Sequence, residues 1–374
     1  MKKRTAFLSL FILIIMILSI GCSKTSKESS VVPAPSVKSS SEPVPSSGPI
    51  ESSSVVPSSE PVEPVYSSVS PTTGKGYEKE QEFYPIMVTI ENASGARPQT
   101  GINNADIIYE FPVEATITRF LCIYNDTLPK VVGPVRSARY YFLYCQQEWD
   151  CVYLHFGGAG ENDSISVYNP KFNWIRVRID GIKGKYDEFY WRSTERKAPH
   201  NVYTDLTYVK EKYASFKSNR SYFWPHADSP STSEVSATKI HIPFESNKSH
   251  NVEFFYDPKT NLYTRYENGE LFTSYETTDK GTVVSEAVTT SNIVVQYVPM
   301  DTLHTTKYYR RVIDLIGKGK AEYFINGKYI KGSWERKSKN DTTKYYDEQG
   351  NEIVFCVGKT WIAIQPTSHQ VSFD

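Results

Sequence analysis

Apolar positions change rhythm along the chain, and the changes divide it into four parts. Residues 6–20 form an unbroken apolar run behind Lys2, Lys3 and Arg4. From 22 to about 77, apolar residues thin out to isolated valines among Ser, Pro, Glu and Lys. Between 78 and 231, blocks at 84–90, 105–110, 116–124 and 151–156 have the length and β-branched character of strands. From 232 to 374 the strands shorten and turns come quickly. Runs at 252–256 and 262–266 flank a turn at 257–261, and Asn268-Gly269 and Asn326-Gly327 are hairpin cues, since both central residues of such turns take positive φ. The pattern predicts an α+β protein: a mixed α/β N-terminal domain at 78–231, then a mainly antiparallel β domain at 232–374. Ser291, Arg311, Ala321, Tyr329 and Thr360 open the later strands, and Trp334 and Trp361 read as core.

The first half carries most of the candidate chemistry. Gly133-Pro134 is a helix-start signal, and Val135, Ala138, Phe142 and Cys145 then fall at helical spacing. This places Arg136 and Arg139, with Ser137 between them, in a first turn where the helix dipole disfavours cations. One explanation is a pocket for an anion; the other is internal neutralisation by Glu110 and Glu114. The strand at 151–156 delivers His155 to Gly157-Gly158-Ala159-Gly160. No Lys-Ser or Lys-Thr follows these glycines and no dinucleotide spacing is present, so no cofactor is implied. A lone histidine beside glycines is more often a hydrogen-bonded structural group than a catalyst.

Thr118 and Arg119 open another strand, and a basic loop at 189–204 brings Arg192, Arg196, His200 and Asn201. Folded back toward His155, that loop would join two histidines to several arginines; left in solvent, His200 would cap backbone groups. Glu110 and Glu114 invite a glycosidase reading. However, four extended residues span about 13 Å, against about 5 Å for a retaining pair.

Charge and cysteine content narrow the class. The chain has 42 basic and 42 acidic residues, a formal net charge of +0, so there is no electrostatic case for nucleic acid. Residues 1–21 read as a signal peptide, and Leu18-Ser19-Ile20-Gly21-Cys22 resembles a bacterial lipobox, with Leu18 one place further from the cysteine than usual. Cys22 is therefore the expected lipidation site, anchoring the protein to the outer face of the cytoplasmic membrane. Residues 22–77 form a Ser/Pro-rich tether that cannot bury enough apolar surface to fold. Cys122, Cys145, Cys151 and Cys356 sit in apolar contexts that favour buried thiols, and none has zinc-ligand spacing, so no metal is expected.

Several stretches together resemble the YerB-like lipoproteins of Gram-positive bacteria. They include Pro85-Ile86-Met87-Val88 with Glu91-Asn92, Arg97-Pro98-Gln99, Tyr109-Glu110, Thr118-Arg119-Phe120, Gly133-Pro134-Val135-Arg136-Ser137-Ala138-Arg139, His155-Phe156-Gly157-Gly158, Ala198-Pro199-His200-Asn201 and Gly358-Lys359-Thr360-Trp361. The resemblance implies an envelope lipoprotein with a two-part domain and carries no catalytic residues. The expectation is a non-enzymatic envelope protein that binds an anionic wall polymer or protein partner through Arg136, Arg139 and neighbouring groups. The rivals are a hydrolase of glycan or phosphodiester bonds using Glu110, Glu114, His155 or His200, and a scaffold with a buried ionic cluster.

Overall fold

Strands prevail over helices in both halves because most of the long apolar runs are covered on two faces. The structure, a computed structural model, describes residues 66–160, 164–244, 250–278, 280–304 and 309–374. The signal peptide, Cys22 and the tether up to residue 65 lie outside the described residues.

Ten strands form the central sheet: β1 Ile86–Glu91, β2 Ile107–Pro112, β3 Thr118–Tyr124, β4 Val152–His155, β5 Arg178–Asp180, β6 Asn292–Val298, β7 Gly317–Ile325, β8 Lys328–Arg336, β9 Lys344–Asp347 and β10 Thr360–Pro366. Their spatial order is β9-β8-β7-β6-β10-β2-β3-β1-β4-β5. The later strands do not close an antiparallel sheet of their own. Instead β10 runs parallel between β6 and β2, with Thr360 opposite Ile107 and Ala363 opposite Glu110. Its core Trp361-Ile362-Ala363-Ile364 is buried throughout, the signature of a central strand rather than a half-exposed one.

One face of this sheet presents Ile86, Val88, Ile90, Phe120, Cys122 and Trp361. It packs against a second, antiparallel sheet containing Lys239–Pro243, Asn251–Asp257 and Leu262–Glu267, and against helix α2, Leu206–Lys212. On the other face, Met87, Tyr109, Phe111, Leu121 and Ile123 meet Phe142, Cys145 and Trp149 of helix α1, Tyr140–Trp149. Asp205 caps helix α2, its side chain accepting from the amides of Thr207 and Tyr208. The described residues hold two α-helices, so the N-terminal segment is mainly β rather than an even α/β mixture.

Two further expectations change. The helix expected from Gly133 starts only at Tyr140; Gly133-Pro134 is a cis peptide and 133–138 run extended. The reason is a gap in the sheet. Parallel strands β1 and β4 pair only as far as Val88 and Leu154, and the chain from Val135 to Ala138 fills the space beyond them. Arg136 N donates to Thr89 O, Phe156 N to Arg136 O and Ala138 N to Gly157 O, each at 2.9 Å. Sheet hydrogen bonds on both sides outweigh a weak local helix preference. The tether also ends earlier than its composition suggests: Ser68–Val69 pairs with Gly76–Tyr77, and Asp126 accepts hydrogen bonds from Ser70, Thr73 and Tyr77. Residues 66–77 thus belong to the folded part. Among the described residues no helix is long and apolar enough to cross a membrane.

Candidate functional site

The inserted segment brings the sequence-predicted cations to the carboxyl ends of β1 and β4. Glu91, the last residue of β1, stands directly opposite Arg119 of β3, which puts the two side chains on one face. Arg119 is 6% exposed; its Nη1 donates to the Ser137 carbonyl at 2.7 Å, and its Nε has no hydrogen-bond partner. Burial, then repulsion from Arg139, lowers the Arg119 guanidinium to about 9. Arg139 grips Glu114 with Nε, 2.8 and 2.9 Å from its two oxygens, and with Nη2 at 2.5 Å. Burial pushes the Glu114 carboxyl up, but Arg139 and then Arg119 outweigh it and hold it below the usual range.

Arg136 and His200 share the other carboxylate. Arg136 Nε lies 2.9 Å from Glu91 Oε1 without pointing its N–H at it, so this is an ion pair lacking a hydrogen bond. His200 Nδ1 is 2.8 Å from Glu91 Oε2. Ser137 donates its hydroxyl to Phe156 O at 3.0 Å. Asn201 ties the 193–201 loop together, donating to Ser193 O at 2.8 Å and to Arg196 O at 3.2 Å while accepting from Arg192 at 2.8 Å. Arg196 donates to Pro98 O at 2.5 Å.

His155 and Glu110 belong elsewhere. His155 is fully buried; its Nδ1 is 2.8 Å from Gly157 O, and its Nε2 has no partner among the described residues. Burial drives its imidazole down to about 4 despite the attraction of Asp180, so it is neutral at pH 7. Glu110 is also fully buried and accepts from Thr118 at 2.8 Å, Arg265 at 3.0 Å and Trp361 at 3.2 Å.

That second network is one the sequence pattern passed over. Arg265, fully buried, bridges Glu110 and Glu267 at 3.0 Å each and lies 4.0 Å from the Phe272 ring centroid. His250 approaches Glu267 at 2.6 Å, and Arg97 also pairs with Glu267. A signal was available: Tyr263, Arg265 and Glu267 alternate in phase on one strand and all three point inward. Burial would raise Glu267, but Arg265, His250 and Arg97 together hold it at about 2.

Glu110 and Glu114 therefore serve separate ion-pair networks rather than one acid pair. Five surface cavities of 160–380 Å³ among the described residues are lined by residues other than Arg136, Arg139, His155 and His200. No cluster of three or more His, Cys, Asp or Glu suited to a metal occurs among the described residues. Cys122, Cys145, Cys151 and Cys356 are free and buried, and burial pushes the Cys122 thiol up to about 12.

Comparison with known proteins places this arrangement in a family. Residues 72–220 match the N-terminal domain of DUF3048, a protein family of unknown function, and residues 240–362 match its C-terminal domain. The chain belongs to the DUF3048 family. Within it, YerB of Bacillus subtilis (strain 168), which carries the name of a lipoprotein, is 31% identical over 304 residues, covering 79% of this chain and 86% of YerB. The crystal structure of the Bacillus subtilis YerB protein aligns with a TM-score of 0.67 and 27% identity, covering 82% of this chain and 99% of that one. The two DUF3048 segments meet at the parallel seam between β2 and β10, and Arg265 of the second segment pairs with Glu110 of the first. The Glu110–Arg265–Glu267–Arg97 network thus joins the two segments.

Proposed function

We propose that this chain is a lipoprotein of the cell envelope, anchored through Cys22 on the outer face of the membrane. In this reading it binds an anionic group, from a wall polymer or a protein partner, at Arg119, Arg136 and Arg139. The lipoprotein placement draws on the leader and on the name carried by YerB. The observation behind the binding reading is a charge imbalance. Three guanidiniums gather around the Ser137 main chain, and the carboxylates paired there are Glu91 and Glu114. The surplus positive charge falls on buried Arg119, whose Nε N–H lacks an acceptor. A buried cation without a full partner set is costly, and an incoming carboxylate or phosphate oxygen would offset that cost. Arg136 and His200, at 25% and 30% side-chain exposure, leave the cluster reachable from solvent.

The hydrolase reading is weaker, because Glu110 is sealed and triply hydrogen-bonded and His155 is neutral and buried. The test measures binding of the purified protein to an anionic phosphodiester wall polymer across a salt series. An Arg136→Ala, Arg139→Ala double variant with native circular dichroism should bind at least about tenfold more weakly. Unchanged affinity in that folded variant would leave the cluster a structural element only.

A further inference from the structure

A different part of the surface has the composition of a sugar site. A cavity of ≈ 350 Å³ lies between two hairpins that are remote in sequence. One hairpin pairs Tyr190–Arg192 with Val202–Thr204 and supplies Trp191 and Tyr203; the other pairs Thr273–Thr277 with Val283–Ala287 and supplies Tyr275. Gln99–Thr100 runs parallel to Thr273–Thr277, with Tyr275 opposite Thr100, so the second hairpin is held to the rest of the fold by main-chain pairing. Trp191 stacks on Tyr203 at 6.2 Å with an interplanar angle of 25°. Tyr203 is 7% exposed and acts as backing, whereas Trp191 at 41% and Tyr275 at 36% offer aromatic surface to solvent.

Both exposed rings line the same cavity, and an aromatic ring there leaves an apolar face on which a ligand can stack. Polar groups of both signs share this cavity. Arg196 and Glu195 line it, and Arg196 Nη1 is a buried donor with no hydrogen-bond partner. Aromatic faces suit the apolar C–H face of a pyranose, while a carboxylate and a guanidinium suit its hydroxyls and any acidic substituent. Arg196 argues against a quaternary ammonium, which it would repel.

We infer that the cavity between the Trp191–Tyr203 and Tyr275 hairpins binds a pyranose ring of a glycan, with Trp191 and Tyr275 as stacking surfaces. Arg196 takes an acidic substituent of that glycan. The choice of wall glycan as the natural source follows from the envelope placement proposed above, but the site does not depend on the Arg119–Arg136–Arg139 cluster. Calorimetric titration of the full-length protein in detergent would use two probes, tetra-N-acetylchitotetraose and peptide-free wall glycan strands bearing lactyl carboxylates. Both should bind saturably, the carboxylated strands more tightly by about tenfold. Trp191→Ala and Tyr275→Ala should each weaken binding of the uncharged tetra-N-acetylchitotetraose about tenfold, a loss the Arg119–Arg136–Arg139 cluster cannot cause. Tyr275→Ala lies on the second hairpin and leaves the Trp191–Tyr203 stack intact, so it tests the site even if Trp191→Ala disturbs its own hairpin. No saturable heat with either probe up to about 10 mM, or wild-type affinity in Tyr275→Ala, would overturn the assignment. Equal affinity for the two probes would overturn the role given to Arg196.

Discussion

Glu267→Gln is the perturbation that most directly tests the buried network beneath the central sheet. The carboxylate is 4% exposed and is shared by Arg265, Arg97 and His250. Its folded-state value of about 2, against an ordinary 4.5, means the native protein holds the charged form much more strongly than the unfolded chain does. At about 1.4 kcal/mol per unit this is about 3 kcal/mol, in line with the ~3–5 kcal/mol lost when one partner of a buried pair is removed. Because the folded value is depressed, the contribution is fully present above about pH 4.5 and disappears as pH falls toward 2. At neutral pH the variant should lose about 3 kcal/mol in urea unfolding and about 5 °C in thermal midpoint. Between pH 4.5 and 2 its stability should also fall less steeply than that of wild type. A loss below about 1 kcal/mol, or an unchanged acid limb in the variant, would refute the reasoning.

Asp106 should act in the opposite direction, since burial and then Asp126 raise it from 3.8 to about 7. Its stabilising protonated form is fully present below about pH 3.8 and is lost as pH rises through 7, so Asp106→Asn should flatten that part of the stability profile in denaturant titrations. Gly332→Ala should cost about 2–3 kcal/mol in urea unfolding, because the new Cβ would stand 1.9 Å from the Tyr346 carbonyl oxygen and force β8 and β9 apart. A thiol-specific chromogenic reagent should leave Cys122, Cys145, Cys151 and Cys356 unreacted in the native protein and modify all four in denaturant; fast native labelling would contradict their burial.

Local chemistry made much of this protein legible in advance. Strands β1, β3 and β4 begin and end within about two residues of their apolar runs, because short β-branched runs bounded by turn residues have few alternatives. Asn326-Gly327 turns β7 into β8, with Asn326 at φ 51° and Gly327 at φ 71°, as its dipeptide requires. Asp205 starts α2 for the same kind of local reason.

Matters that depended on partners distant in sequence were different. Whether Arg136 lay in a helix turned on an unfilled gap between β1 and β4, which no window around Gly133 contains. The later strands became a continuation of the first sheet because β10 found β2, 253 residues earlier, as a parallel neighbour (Thr360 opposite Ile107). The cationic character of 131–160 could be read directly, and so could Glu114 as the partner of Arg139, but the other counter-charge could not: Glu91 rather than Glu110 faces Arg136, and Arg265 from the other segment claims Glu110. Residue order governs strand rhythm, turns, caps and the leader, since these arise from neighbours along the chain. Which charges meet, and which cavities open, is settled only when distant strands come together, because pairing energies depend on separation in space.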